Sequence, residues 1–233
     1  MSDSSTRLTI RVSDSVGDVD ALLSRPEDAK CLFVCAHGAG AGMHHAFMER
    51  LVGKLGACRI ATLRYHFPYM QHGRRSPDAP ALLTATVRAA IGTALNAAPD
   101  LPLLAGGKSL GGRMTSLAIA DERSTANSGM ASVRGLVFFG FPLHPAGRPG
   151  TERAQHLARV QIPMLFLQGT RDTLADLDLL RPVCESLMPL ATLHVVNGAD
   201  HSFHVLKRFG KTDADVLTEL AHTVASWPLI SSL

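Results

Sequence analysis

The chain has 233 residues, of which 46% are hydrophobic and 18% charged, and a formal net charge of +3 at pH 7. This composition fits one globular domain with a substantial core and excludes a disordered or low-complexity chain. Lys and Arg form no dense block, so no nucleic-acid partner is expected. No run reaches the roughly 18 apolar residues of a spanning helix, and residues 1–6 lack a basic segment followed by an apolar one. The reading is therefore a cytoplasmic protein with no membrane partner. The four cysteines are too few and scattered for a disulfide framework; Cys31 and Cys35 would sit about 13 Å apart along one strand. The eleven histidines fall at no H-E-x-x-H spacing, so no metal is expected.

In chain order, residues 8–12 and 19–23 read as an antiparallel pair joined by a turn at Ser13–Gly17. Residues 31–36 form a continuous apolar run, as in a strand covered on both faces, and end in His37-Gly38-Ala39-Gly40-Ala41-Gly42. Phe47, Met48, Leu51, Val52 and Leu55 recur at helical spacing, and residues 59–63 supply the next strand. The aromatic segment 65–75 reads as a long loop against which something should sit. A helix over 79–98 follows, then a strand over 101–105, a turn, and a helix over 113–119. Residues 124–131 read as a polar loop. Strands are expected over 133–141, 163–167 and 192–196. Helices are expected over 174–187, broken or kinked at Pro182, and over 213–227. Residues 142–159 form a short Pro- and Gly-bearing excursion that leaves no room for a large lid. Strands alternating with helices predict a single α/β domain, 1–233, with a doubly wound, mostly parallel sheet of about seven to eight strands.

Chemistry in such sheets gathers beyond the carboxyl ends of the strands. The turn after the strand over 101–105 holds Gly107, Ser109 and Gly111, the G-x-S-x-G pattern of a nucleophile elbow. Serine is a poor nucleophile at neutral pH, so it needs a base and a group that orients the base. His201 follows the last strand and Asp172 the preceding one, which gives the order Ser, Asp, His of this architecture. Asp176, Asp178 and Asp200 compete for the acid role and His204 for the base, but they read as solvated or helical positions. Leu110, after the nucleophile, and Ala39, in the glycine-rich loop, are the expected oxyanion donors through their backbone N–H groups. Gly40 is a near competitor, and His37 reads as a structural hydrogen-bonding residue. The expected substrate-binding residues are Gly40, Tyr65, Phe67, Tyr69, Met70, Lys108, Leu143 and His144. Lys108, Arg113, Arg74, Arg75 and Arg171 lie near the active edge, which fits an anionic substrate and equally fits solvated charge.

Phosphate-binding readings fail on spacing. A P-loop ending in Gly107-Lys108-Ser109 needs glycine where Pro102 stands, and a dinucleotide fingerprint starting at Gly38 needs one where Met43 stands.

The segments His37–Met43, Phe67–Met70, Gly106–Met114, Pro142–Pro145, Gln168–Asp172 and Asp200–Phe203 span most of the chain. On them the chain resembles the α/β-hydrolases, specifically the small, lid-poor, dienelactone-hydrolase-like group. It is also similar to bacterial hydrolases related to the testis-expressed and NSL-complex hydrolase-like domains. The resemblance implies a Ser109/Asp172/His201 triad, no cofactor, and hydrolysis of an ester or related acyl bond in a small-molecule acyl substrate. Dienelactone hydrolase proper has a cysteine nucleophile where this chain has Ser109, which argues against its substrate. Some relatives act within complexes, so a protein-interaction module retaining the fold is the alternative expectation.

Overall fold

A computed structural model describes residues 5–121 and 129–232. The opening hairpin pairs β1 (Ser5–Ser13) with β2 (Gly17–Ser24), and Gly17 takes the positive φ of +84° that its turn requires. Six further strands follow: β3 (Cys31–Ala36), β4 (Ile60–Tyr65), β5 (Leu103–Lys108), β6 (Val133–Phe139), β7 (Met164–Gly169) and β8 (Ala191–Val196). They complete an eight-stranded sheet in the order β1-β2-β4-β3-β5-β6-β7-β8. Pairs from β4 through β8 are parallel, whereas β2 runs antiparallel to both β1 and β4. This is the α/β-hydrolase fold.

The apolar run of β3 is buried at all six positions because helices cover both faces of the sheet. Its residues alternate between two cores. Leu32, Val34 and Ala36 join α3 (Pro80–Ala97) and α4 (Leu110–Asp121) on one side. Cys31, Phe33 and Cys35 join α1 (Ala46–Ala57) and α6 (Asp213–Ala225) on the other. That burial raises the Cys31 thiol to about 11 and the Cys35 thiol to about 12, so neither ionises at neutral pH. Among the described residues no helix is long and apolar enough to cross a membrane.

Element boundaries differ from the sequence reading where backbone pairing outruns the apolar pattern. β5 continues through Gly106 and Gly107 to Lys108, because these residues still pair with β6, and both glycines pair with β3 as well. β4 likewise runs on to Tyr65, and Arg59, expected to start that strand, turns the chain at φ +65°. The expected long loop after β4 contains a short helix, α2 (Pro68–Gln71), with proline at its first position. Pro182 does not break α5 (Leu177–Ser186). The polar loop expected over 124–131 lies mostly outside the described residues; Gly129–Ser132 is a 3-10 turn. Between β6 and β7 only a 3-10 helix, Glu152–Arg159, intervenes, so no lid domain is inserted there.

Candidate active site

The chain turns outward to opposite edges at β3, whose neighbours are β4 on one side and β5 on the other. In an open α/β sheet this switch point leaves a crevice at the carboxyl ends of the two strands. Ser109 follows β5 at φ +50°, a left-handed conformation costing about 1–3 kcal/mol for a non-glycine residue. Surrounding bonds hold it there: Ser109 N–H donates to the Phe139 carbonyl at 3.1 Å, and its own carbonyl accepts from Arg113 N–H at 3.1 Å in α4.

The elbow's glycines make the crowding possible. A Cβ on Gly107 would strike the Ala36 carbonyl, and one on Gly111 would strike the carbonyls of Ala36 and His37. β5 and the head of α4 therefore press against the end of β3, which brings the His37 loop to the serine. A Cβ on Gly38 would lie 3.7 Å from Ser109 Cβ.

His201 and Asp172 come from the loops after β8 and β7. His201 Nε2 lies 2.8 Å from Ser109 Oγ and His201 Nδ1 lies 2.7 Å from Asp172 Oδ2. Asp172 is buried, and its other oxygen accepts Leu174 N–H at 2.8 Å. Gln168 Nε2 donates to Oδ2 at 2.5 Å. The carboxylate is thus held from three directions. Two of the three competing acids are engaged elsewhere: Asp176 caps α5, and Asp200 accepts Ser202 and His204 N–H groups; Asp178 lies in the first turn of α5. His204 pairs with Asp213, whose hydrogen bond and charge raise its pKa.

Next to the serine, the N–H of Leu110 heads α4, where the first turn has no intrahelical acceptor. In the His37 loop, Gly40 N–H donates to Tyr69 Oη at 3.3 Å, whereas the Ala39 N–H has no acceptor among the described residues. His37 lies beneath this loop, fully buried. Its Nδ1 meets the Gly38 carbonyl at 2.8 Å and its Nε2 accepts Phe67 N–H at 3.1 Å, which assigns a neutral ring protonated at Nδ1. Burial lowers its pKa to about 4, so the ring stays neutral through the physiological range.

The crevice opens into a cavity of about 320 Å³ bordered by Ser109, His201, Gly38 and Ala39. Its apolar wall is Phe47, Met48 and Leu174, with His45, Lys108, Ala41 and Ser202 completing it. Of the residues expected to bind substrate, only Lys108 borders this cavity. Tyr65, Phe67, Tyr69 and Leu143 are instead core residues with no exposed surface. Phe67 and Tyr69 pack edge-on against His37, so the aromatic segment after β4 supports the His37 loop from below. Met70 packs on the same core, and a Cβ on Gly40 would lie 3.8 Å from the Arg75 carbonyl. His144 accepts Asp176 N–H and steadies the start of α5. Among the other cations, Arg74 pairs with Asp78 and Arg171 donates to the Gly198 carbonyl, and neither reaches the cavity.

The wall residues the sequence missed had a signal. α1 starts directly after the glycine-rich loop, so its first turn must face whatever that loop faces. Helical spacing assigned Phe47 and Met48 to the core, and they serve both. Phe47 stacks on Phe203 at 5.8 Å between centroids while bordering the cavity.

The chain belongs to the alpha/beta hydrolase domain family, whose model matches residues 29–228. Its fold is shared with dienelactone hydrolase from Anabaena variabilis, at TM-score 0.73 and 18% identity over 96% of each chain. It is similarly close to a serine hydrolase without lid from Xanthomonas campestris, at TM-score 0.71 and 23% identity over 97% of this chain and 96% of that one. An esterase domain from Rhodothermus marinus aligns at TM-score 0.70 and 16% identity over 97% of this chain and 98% of that one. Family membership together with the hydrogen-bonded Ser–His pair points to hydrolase activity.

Proposed function

We propose that the protein is a serine hydrolase that cleaves a carboxylic ester, or a related acyl bond, of a small substrate through an acyl-enzyme intermediate. The observation carrying this reading is the unbroken hydrogen-bond chain from Ser109 Oγ through the His201 ring to Asp172. In the reaction His201 Nε2 takes the Ser109 proton as Oγ attacks the carbonyl carbon. Asp172 holds the Nδ1–H tautomer and stabilises the imidazolium. The oxyanion sits on the N–H groups of Leu110 and Ala39, each worth about 3 kcal/mol of barrier. The hydrogen bond that the Gly40 N–H already donates to Tyr69 Oη at 3.3 Å supports Ala39 over Gly40 as the second donor. The imidazolium then protonates the leaving alcohol, and water repeats the sequence to release the acid and free Ser109.

A cavity of about 320 Å³ is near the small end of ligand sites and favours short acyl groups against Phe47, Met48 and Leu174. Turnover of p-nitrophenyl acetate and labelling by a fluorophosphonate probe test the reading. Ser109→Ala is expected to abolish both and to leave the circular dichroism unchanged. A folded wild-type protein that the probe does not label would instead favour an interaction module.

A further inference from the structure

Lys108 is the one residue beside the nucleophile to which the proposed mechanism gives no role. Its Nζ donates to the main-chain carbonyl of His201 at 2.5 Å. The ammonium lies between two aromatic rings, 5.8 Å from the centroid of Phe47 and 5.5 Å from that of Phe203. Gly140, at φ +70°, leaves open the space in which three groups meet. A Cβ there would lie 3.1 Å from Lys108 Nζ, 3.5 Å from Asp172 Oδ2 and 3.5 Å from His201 Cε1. No carboxylate forms an ion pair with Lys108 among the described residues; its hydrogen bond goes to the backbone of the base.

We propose that Lys108 is a positioning residue for the base. Its ammonium ties the end of β5, one residue before Ser109, to the His201 carbonyl, so that the imidazole reaches Ser109 and Asp172 together. This rests on the serine-hydrolase reading above.

The fold explains why such a tie is useful. β8 is the last strand of the sheet and pairs only with β7, and the loop carrying His201 is bonded to its neighbours after β7 and in α6, through Arg171 N–H to the Ala199 carbonyl, Gly198 N–H to Thr170 Oγ1 and Val205 N–H to Asp213, none of which reaches β5. Its internal bonds, which the Ser202 and His204 N–H groups donate to Asp200, shape the turn without fixing it to β5. The bond from Lys108 crosses that gap directly. Burial lowers the lysine to about 8, opposed by the nearby charges of Asp172 and Asp200. The titratable groups around it are Asp172 after β7 and Asp200 and His201 after β8, and His45 at the head of α1 borders the same cavity; Phe47, Phe203 and Gly140 supply the uncharged faces. As pH rises through about 8 the ammonium becomes an amine, a weaker donor to the carbonyl, and the tie loosens.

Lys108→Met keeps the contact with the two rings and removes the donor, and Lys108→Arg keeps a cation that does not titrate. With p-nitrophenyl acetate from pH 6 to 10, Lys108→Met is expected to lower kcat by about 10- to 100-fold, the scale of a slightly misplaced catalytic group, with KM within about twofold. Lys108→Arg should recover part of that loss. The wild-type kcat is expected to decline as pH rises through about 8, and that decline should be absent from both variants. A crystal structure of Lys108→Met should show the imidazole withdrawn beyond 3.5 Å from Ser109 Oγ. An unmoved imidazole, a kcat within about twofold of wild type, or a loss confined to KM would overturn the proposal. If wild-type protein neither turns over esters nor takes the fluorophosphonate, the hydrolase reading fails, and the imidazole position in Lys108→Met still decides whether the tie exists.

Discussion

Two buried histidines are expected to make the fold sensitive to acid from about pH 6.5 downward, starting above the range in which carboxylates titrate. His37 and His156 are each lowered to about 4, in both cases chiefly by burial; for His156 the charges of Arg113 and Arg159 add to it. In the unfolded chain each returns to about 6.5. Because the folded value lies below the unfolded one, the unfolded state takes up protons first as pH falls. The stability that depends on neutral rings is complete above pH 6.5 and is lost on the way to pH 4. At pH 4.5 an unfolded histidine is about 99% protonated and a folded one about one quarter, a difference of about 2–3 kcal/mol each and about 5 kcal/mol together. Such a loss is comparable to the whole stability of many domains. Urea unfolding at pH 7.0, 6.0, 5.0 and 4.5, followed by tryptophan fluorescence, measures it. His156→Phe should remove about half of the dependence, since Ser116 Oγ, now bonded to His156 Nε2 at 2.7 Å, retains its bond to the Arg113 carbonyl. A stability constant to within about 1 kcal/mol from pH 7 to 4.5 would refute the argument, for the pH dependence of stability has to follow the difference in bound protons.

Two further predictions concern the strand end and the loop that build the site. Gly107→Ala should destabilise the protein by more than about 4 kcal/mol, because the residue sits at φ +145° and its new Cβ would occupy the Ala36 carbonyl; soluble protein with a wild-type melting temperature would contradict this. Tyr69→Phe frees the Gly40 N–H and should cost about 0.5–1.5 kcal/mol in thermal unfolding. It should also lower kcat severalfold by loosening the loop that carries Ala39, and an unchanged kcat would separate that loop from the reaction.

Much of this protein is legible in its sequence, for local reasons. The six-residue apolar run at Cys31 reads as a strand covered on both faces, and the Gly107, Ser109, Gly111 spacing suits a tight strand-to-helix turn, a pattern that gained weight from the Asp172 and His201 loops. The order of Ser109, Asp172 and His201, after β5, β7 and β8, was readable because parallel strands place their carboxyl ends on one edge. Side-chain direction was not readable. Tyr65, Phe67 and Tyr69 form an aromatic segment that suits a pocket wall and a core equally, and only the pairing of β4 out to Tyr65 and the position of His37 send them inward. Phe47 and Met48 were legible as core and not as cavity wall, because helical spacing reports which face is covered and not what covers it. Lys108 is the plainest case. The sequence sets it beside Ser109, but its bond to a carbonyl 93 residues away exists only because β5 and β8 bring their ends to one edge of the sheet. Local patterning specifies the elements and their turns; which groups meet across the loops is a property of the folded sheet.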